Sequence, residues 1–329
     1  MAKQLLSAAS AILGTLFLIG ATTAPSYAQS YPDKPIRLIV IFPPGGGIDT
    51  VGRIIGTKLS ETLGQPVVPE NRAGAGGNVG LEFAAKARPD GYTLVIGSET
   101  LTLSPSLYKK LNYDAVKDLQ PVVQVAQVPV MLFVRPDFPA KTLKELVEYA
   151  KTNPGKVTYG TGGVGSAPHL GGELLKSLAK IDIVHVPYKG VAPALVGMMG
   201  GEVDMAFLSP AAAAPQVQAG KARALVVLGD KRVKLLPDVP TAREAGIDRL
   251  LVPIWYGILA PAGTPQTIVK HLNAEINKIT AMPDIQENIQ KVGVETVSGS
   301  TPEQFSEFIK TEIAHWEKII AGANIPKLD

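Results

Sequence analysis

The sequence predicts an α/β protein of two lobes, each a mainly parallel sheet covered by helices, and three observations predict it. Strand-like and helix-like patterns alternate along most of the chain, the mark of βαβ units and of sheets with both faces covered. Two apolar runs, Ile36 to Ile41 and Val157 to Tyr159, each break into a glycine loop that opens a helical pattern. The chain beyond residue 28 is about 300 residues long, more than one core ordinarily supports.

Lys3, an apolar stretch from Ala8 to Gly20 and then Ala24-Pro25-Ser26-Tyr27-Ala28 read as a cleavable secretory signal over residues 1–28. The mature protein is expected to begin near Gln29 and to be soluble, exported and periplasmic. The apolar run is shorter than the ~20 residues a membrane helix needs, and an uncleaved anchor is the competing reading. Lobe I starts with strand Ile36 to Ile41, helix Ile48 to Leu63, a short strand at Val67-Val68, the loop Asn71 to Asn78 and helix Leu81 to Ala87. An Asp90-Gly91 turn leads into strand Tyr92 to Ile96. The strand-like run Val122 to Val134 is too long for one element and suits a chain crossing between lobes.

Helix Thr142 to Thr152 opens lobe II, with Thr142 and Glu145 spaced as a capping box and Asn153-Pro154-Gly155 as its stop. Strand Val157 to Tyr159, helix His169 to Leu178, strand Ile183 to Val186, helix Ala192 to Met199, strand Val203 to Phe207 and a helix through Ala211 to Ala214 follow. Leu251 to Leu259 reads as the return crossing, after which helices Pro265 to Thr280 and Pro302 to Ala321 pack back on lobe I. Lobe I is therefore expected to span 29–126 and 255–329, and lobe II 127–254, with crossings near 122–134 and 251–259. Two crossings imply a hinge.

The chain contains no cysteine, which excludes disulfides, thiolate metal sites and cysteine nucleophiles. Lys3 is the one charged residue of the first 28, so its removal lowers the net charge from +3 to +2. That mild excess, with no basic run, gives no sign of nucleic-acid binding and is compatible with a small anion.

Phe42-Pro43-Pro44-Gly45-Gly46-Gly47 and Thr161-Gly162-Gly163-Val164-Gly165-Ser166 are candidate anion cradles. Glycine admits close backbone approach, and the first N–H groups of the following helix lack intrahelical partners at the positive end of its dipole. Gly160-x-Gly162-x-x-Gly165 also satisfies the dinucleotide fingerprint formally, but Asp182 precedes the next strand where a ribose-binding acid should end it. No cofactor is expected. The four histidines, His169, His185, His271 and His315, show no spacing of a metal pair, and no metal site is expected. His185 reads as core, while His169, in the first turn after the second loop, either orients Ser166, faces a ligand or caps the helix. Asp49 either caps its helix or serves the ligand and the other lobe. Asp204 points toward the cleft or toward a neighbouring loop. Ser98, Glu99 and Thr100 follow a strand at its carboxyl end, the edge where open α/β sheets bind ligands. Phe42, Tyr188 and Phe207 either wall the cleft or pack.

Several segments resemble one family. They are Tyr31-Pro32-x-Lys34-Pro35-Ile36, Phe42-Pro43-Pro44-Gly45-Gly46 with Asp49, Asn71-Arg72-x-Gly74-Ala75-Gly76-Gly77, Pro89-Asp90-Gly91-Tyr92-Thr93-Leu94 and Pro105-Ser106-Leu107-Tyr108-Lys109-Lys110-Leu111. Later matches are Tyr159-Gly160-Thr161-Gly162-Gly163-x-Gly165-Ser166-x-x-His169-Leu170, Val186-Pro187-Tyr188-Lys189-Gly190, Gly201-Glu202-Val203-Asp204, Pro237-Asp238-Val239-Pro240-Thr241 and Ala260-Pro261-Ala262-Gly263-Thr264-Pro265. Together they resemble the tripartite tricarboxylate transporter substrate-binding proteins, the Bug or TctC family, over essentially the whole mature chain. The resemblance implies a two-lobed periplasmic binding protein of the type II, Venus flytrap form and no enzymatic activity. It also implies that the loops Phe42 to Gly46 and Thr161 to Ser166 pinch one carboxylate of a small organic acid, expected to be a dicarboxylate or an aromatic carboxylate, which the protein, expected to be a monomer, delivers to integral membrane transporter subunits. The family reads the far end of the ligand with more variable positions, and Ser98-Glu99-Thr100 departs from the small polar and aromatic residues expected there. A sensor presenting its ligand to a signalling receptor, and a periplasmic hydrolase, are the alternatives. Ser166 lacks the Gly-x-Ser-x-Gly context of a nucleophile elbow.

Overall fold

A computed structural model of the protein describes residues 31–252, 254–322, 325, 327 and 328; the signal expected at residues 1–28 lies outside them. Residues 34–329 form one compact unit, and it is built on two sheets. The first has the order β11-β4-β10-β3-β1-β2 and the second β7-β6-β8-β5-β9. In the first, β1 (Ile36–Val40) pairs in parallel with β2 (Val67–Asn71) and with β3 (Thr93–Ser98). The strand β10 (Ile254–Pro261) runs antiparallel to both β3 and β4 (Leu119–Val128), and the two-residue β11 (Glu295–Thr296) lies antiparallel on β4. In the second, β6 (Val157–Thr161) is parallel to β7 (Ile183–Pro187) and β8 (Met205–Leu208), while β5 (Met131–Val134) is antiparallel to β8 and to β9 (Arg223–Val227).

The sheets are thus mixed, and apart from the two-residue β11 the exceptions to parallel order have one cause. The chain passes from β4 to β5 and from β9 to β10, and each time the strand that runs against its neighbours is the first one after the passage. Strands of βαβ units all end at one edge of their sheet. A chain arriving across that edge from the other sheet must run the opposite way.

Helix α1 (Gly47–Leu63) follows β1, and the short α2 (Asn78–Ala85) precedes β3. Gly52 and Gly56 let α1 lie close on the sheet, where an added Cβ would meet Ile96, Val40 and Leu38 at 3.4–3.7 Å. Helices α4 (Leu143–Thr152), α5 (Ala167–Ala179), α6 (Val191–Met199) and α7 (Pro210–Gln218) accompany the second sheet, and α8 (Gln266–Thr280), α9 (Pro283–Gln290) and α10 (Pro302–Gly322) follow the return. At α4 the Thr142 hydroxyl accepts from Glu145 N at 3.2 Å, as its spacing predicts, but the Glu145 carboxylate accepts from Lys141 N, one residue before the expected position.

Helix α3 (Thr100–Leu107) escapes the sequence reading because Thr-Leu-Thr-Leu alternates with the period of a strand. It is helical because nearly every side of it is buried, and the Thr102 hydroxyl is satisfied by donating to Glu99 O at 2.9 Å. Helix α10 corrects a second expectation. It packs on α3 and β4 as predicted for a return to lobe I, but it also contacts α5 of the second sheet. At 21 residues it is about 31 Å long, enough to reach past one lobe. Its Trp316 and Ile320 join Leu103 and Leu107 of α3 in one buried cluster with Leu132 of β5 and Leu170 of α5.

Candidate functional site

Gly46 is the N-cap of α1, with no side-chain cap, and Gly45 takes φ +91°, a left-handed value that costs glycine little. The N–H groups of Gly46, Gly47 and Ile48 consequently have no intrahelical partner and lie at the positive helix end. The Gly45 N–H is already used, donating to Asp49 Oδ2 at 3.0 Å. The buried Asp49 carboxylate also accepts from Arg53 Nε at 3.0 Å and from Asn71 Nδ2 at 2.8 Å, and Asn71 Nδ2 reaches Phe42 O at 2.9 Å. Burial acts to raise the Asp49 pKa, but the Arg53, Gly45 and Asn71 donors outweigh it and hold the carboxyl at about 2. Asp49 therefore braces the loop from behind.

The second loop is built the same way. Ser166 is the N-cap of α5, its hydroxyl accepting from His169 N at 3.4 Å and donating to Gly163 O at 2.8 Å. His169 Nδ1 accepts from Gly165 N at 3.1 Å, and Thr161 Oγ1 accepts from Gly163 N at 3.3 Å. Thr161 Oγ1 lies 2.7 Å from Nε2 of His185, whose ring stacks on His169 at 4.0 Å and on Tyr159 at 4.9 Å. Burial pushes both imidazoles down, His185 to about 4 with help from His169. Both are neutral near pH 7 and brace the loop from below. Sixteen residues separate them in the chain, and only the pairing of helix and strand shows them as neighbours.

The two helix ends meet in one cavity of about 350 Å³. Phe42, Gly47, Ile48, Ser98, Glu99 and Tyr256 line it from the first sheet, and Gly162, Ser166, Pro168, Gly190, Leu208 and Ser209 from the second. Of the residues expected at the site, Phe42, Ser98 and Ser166 face this cavity. Pro44, Gly45 and Gly46 form the exposed loop leading into Gly47, and Thr161, Gly165 and His169 are bracing residues of the second loop.

Four expected site residues lie elsewhere. Thr100 is buried and its hydroxyl donates to Gly76 O at 2.9 Å. The Tyr188 ring packs beside Gly160 and Gly197, and its hydroxyl donates to Glu202 at 3.0 Å. Asp204 lies at the amino end of β8, accepting from Arg135 at 3.1 Å and from Thr158 N at 3.0 Å, whereas the cavity is at the carboxyl end, with Leu208 and Ser209. Phe207 is 0% exposed and meets Tyr159 edge to face, because the strand alternation turns it into the core. Gly47, within the expected first cradle, lines the cavity, and the sequence reading did not single out Ile48, Ser209 or Tyr256. Ser209, just beyond a strand's carboxyl end, carried a findable signal; Tyr256, on the counter-running β10, did not.

Glu99 lines the cavity with its Oε2 shut off from solvent and without a hydrogen-bond partner. Burial raises its pKa to about 7 against hydrogen bonds to the carboxylate from its own backbone N–H and from Ser98. A wider groove of about 790 Å³, lined by Lys34, Arg37, Arg72 and Phe83 among others, shares no lining residue with this cavity, and Arg37 and Arg72 are paired there with Glu70. Among the described residues no cluster of His, Asp or Glu could hold a metal ion, and no helix is long and apolar enough to cross a membrane.

Two α/β lobes with a cleft at the carboxyl ends of their strands define the class of periplasmic binding proteins. The profile of the tripartite tricarboxylate transporter family receptors matches residues 51–325, and the chain belongs to that family, the Bug or TctC solute-binding proteins. It is 36% identical to Protein BugT of Bordetella pertussis, over 94% of this chain and 95% of that one. Two solved structures from Rhodopseudomonas palustris are each 35% identical and wholly covered: one with adipate, at TM-score 0.79 over 91% of this chain, and MatC with bound malate, at TM-score 0.75 over 88%. Such relatives are receptors, not enzymes.

Proposed function

We propose that this protein is an exported, periplasmic receptor that captures a small organic carboxylate between its lobes and delivers it to a tripartite tricarboxylate-type membrane transporter. One observation carries the reading: the N-terminal ends of α1 and α5, from different sheets, line the same cavity through Gly47, Ile48 and Ser166. Unpaired N–H groups at helix ends favour an anion, and the adipate and malate bound by relatives are of that chemical class. The lobes close about the β4–β5 and β9–β10 passages, with the buried cluster of Leu103, Leu107 and Trp316 as the pivot side. Each charge-assisted hydrogen bond contributes about 1.5–3 kcal/mol, so three or four, less desolvation, reach roughly micromolar affinity.

A hydrolase reading finds no support in the geometry. The Ser166 hydroxyl donates to Gly163 O, and among the described residues no imidazole nitrogen contacts it. A calorimetric panel of carboxylic acids tests the proposal, followed by Ser166→Ala: on binding, the hydroxyl turns its one proton from Gly163 O to the carboxylate, and loss of that charge-assisted bond should lower affinity about tenfold or more. Binding by no carboxylate, or unchanged affinity in the variant, counts against the site. The variant also loses an N-cap worth about 1 kcal/mol, so binding is measured well below its melting temperature.

A further inference from the structure

Glu99 is the one charged side chain lining the cavity among the described residues. Its surroundings are otherwise apolar or neutral: Val128, Leu208, Ile254, Tyr256 and Val294, with the Ser98 hydroxyl alongside. No cation offsets it there. Its Oε2 is buried without a partner, although carboxylates taken out of water normally pair with a donor. Glu99 O accepts from the N–H groups of Thr102 and Leu103 as α3 begins, and the Glu99 side chain makes no capping hydrogen bond to that helix. The side chain is therefore not needed to cap that helix.

From this geometry we infer that Glu99 selects the ligand, and that the preferred compound carries an amine or other cationic donor at the end remote from the cradled carboxylate. The inference rests on the carboxylate reading of the two helix ends. The cavity then presents positive helix ends to one terminus of the ligand and an acceptor oxygen to the other. A cationic donor supplies the missing partner of Oε2 and neutralises its charge. A second carboxylate would instead require Glu99 to take up a proton and donate it as a hydrogen bond. The two cases have opposite pH dependence, because Glu99 titrates within the accessible range, at about 7. Tyr256, the nearest other titratable group facing it, is pushed upward by burial and by Glu99 itself and stays neutral.

Three six-carbon probes separate the outcomes by calorimetry between pH 6 and 8.5: hexanoate, adipate and 6-aminohexanoate. The amine of the third, with a pKa near 10.4 as for lysine, and all the carboxylates keep their charge throughout. The expected result is that 6-aminohexanoate binds at least about tenfold more tightly than adipate at pH 8, and that its affinity rises with pH through 7. Glu99→Gln, nearly the same shape, should abolish that preference and the pH dependence while hexanoate binding is retained. The melting temperature of the ligand-free variant should not fall, because Oε2 makes no hydrogen bond for the amide to lose. Tighter binding of adipate that strengthens as pH falls, or an unchanged preference in Glu99→Gln, overturns the inference and leaves the cradle reading intact. If none of the three binds, the cradle reading falls, and this inference falls with it.

Discussion

Asp49 shows how a charged residue can hold a glycine loop from behind. Its carboxylate takes the Gly45 N–H and is anchored by Arg53 and Asn71, while the next N–H groups, at the start of α1, have no intrahelical partner. Replacing Asp49 by Ala should cost about 2 kcal/mol of stability and weaken carboxylate binding, measured by thermal melting and calorimetry. Because its folded pKa is lowered to about 2, the stability it supplies is complete above its ordinary pKa of 3.8 and is lost as pH falls through 2. His185 acts over a different window. Its folded pKa is lowered to about 4, so the unfolded chain takes up protons first as pH falls below 6.5. Wild-type melting temperature should therefore drop between pH 6.5 and 4, with Glu173, Lys176 and the stacked Tyr159 and His169 as the groups facing this pair, and His185→Gln should reduce that drop.

At the scale of the element, the decisive parts are the first turns of α1 and α5. Gly47 is the tighter position: an added Cβ there would meet the Tyr256 hydroxyl at 3.1 Å, whereas at Gly46 the nearest atom is 4.0 Å away. Gly47→Val should therefore abolish carboxylate binding more completely than Gly46→Ala, with circular dichroism unchanged; equal affinities would move the anion site off the first turn of α1. Both glycine loops were legible in the sequence because a glycine run between a strand and a helix is local backbone chemistry. Helix α3 was not, since its residues follow the period of a strand and become helical only where buried on nearly all sides.

For the whole molecule, closure depends on contacts far apart in sequence. Gly293, at φ +72° between α9 and β11, packs directly on Ala211 of α7, so a Cβ there meets the Ala211 side chain and backbone. Gly293→Val should hold the lobes apart and weaken ligand binding at least about tenfold, since donors from both lobes must act together. Retained affinity would show that this contact is dispensable. On the opposite side, Gly165 has Leu107 and Leu328 as neighbours at 3.3–3.5 Å of an added Cβ, which ties the second loop to α3 and to the C-terminal segment.

The sequence by itself determined the α/β class, both glycine loops and the family, because each is written in contiguous residues whose backbone preferences act over a few positions. Tertiary structure alone decided which neighbours each side chain meets: that Asp204, Tyr188 and Phe207 serve packing and bracing, that His169 and His185 stack, and that Glu99 lines the cavity with its Oε2 unpartnered. The physical reason is distance along the chain. A loop's conformation is set by its own residues, whereas the charge, exposure and partners of a side chain are set by segments such as β10 that return from the other lobe.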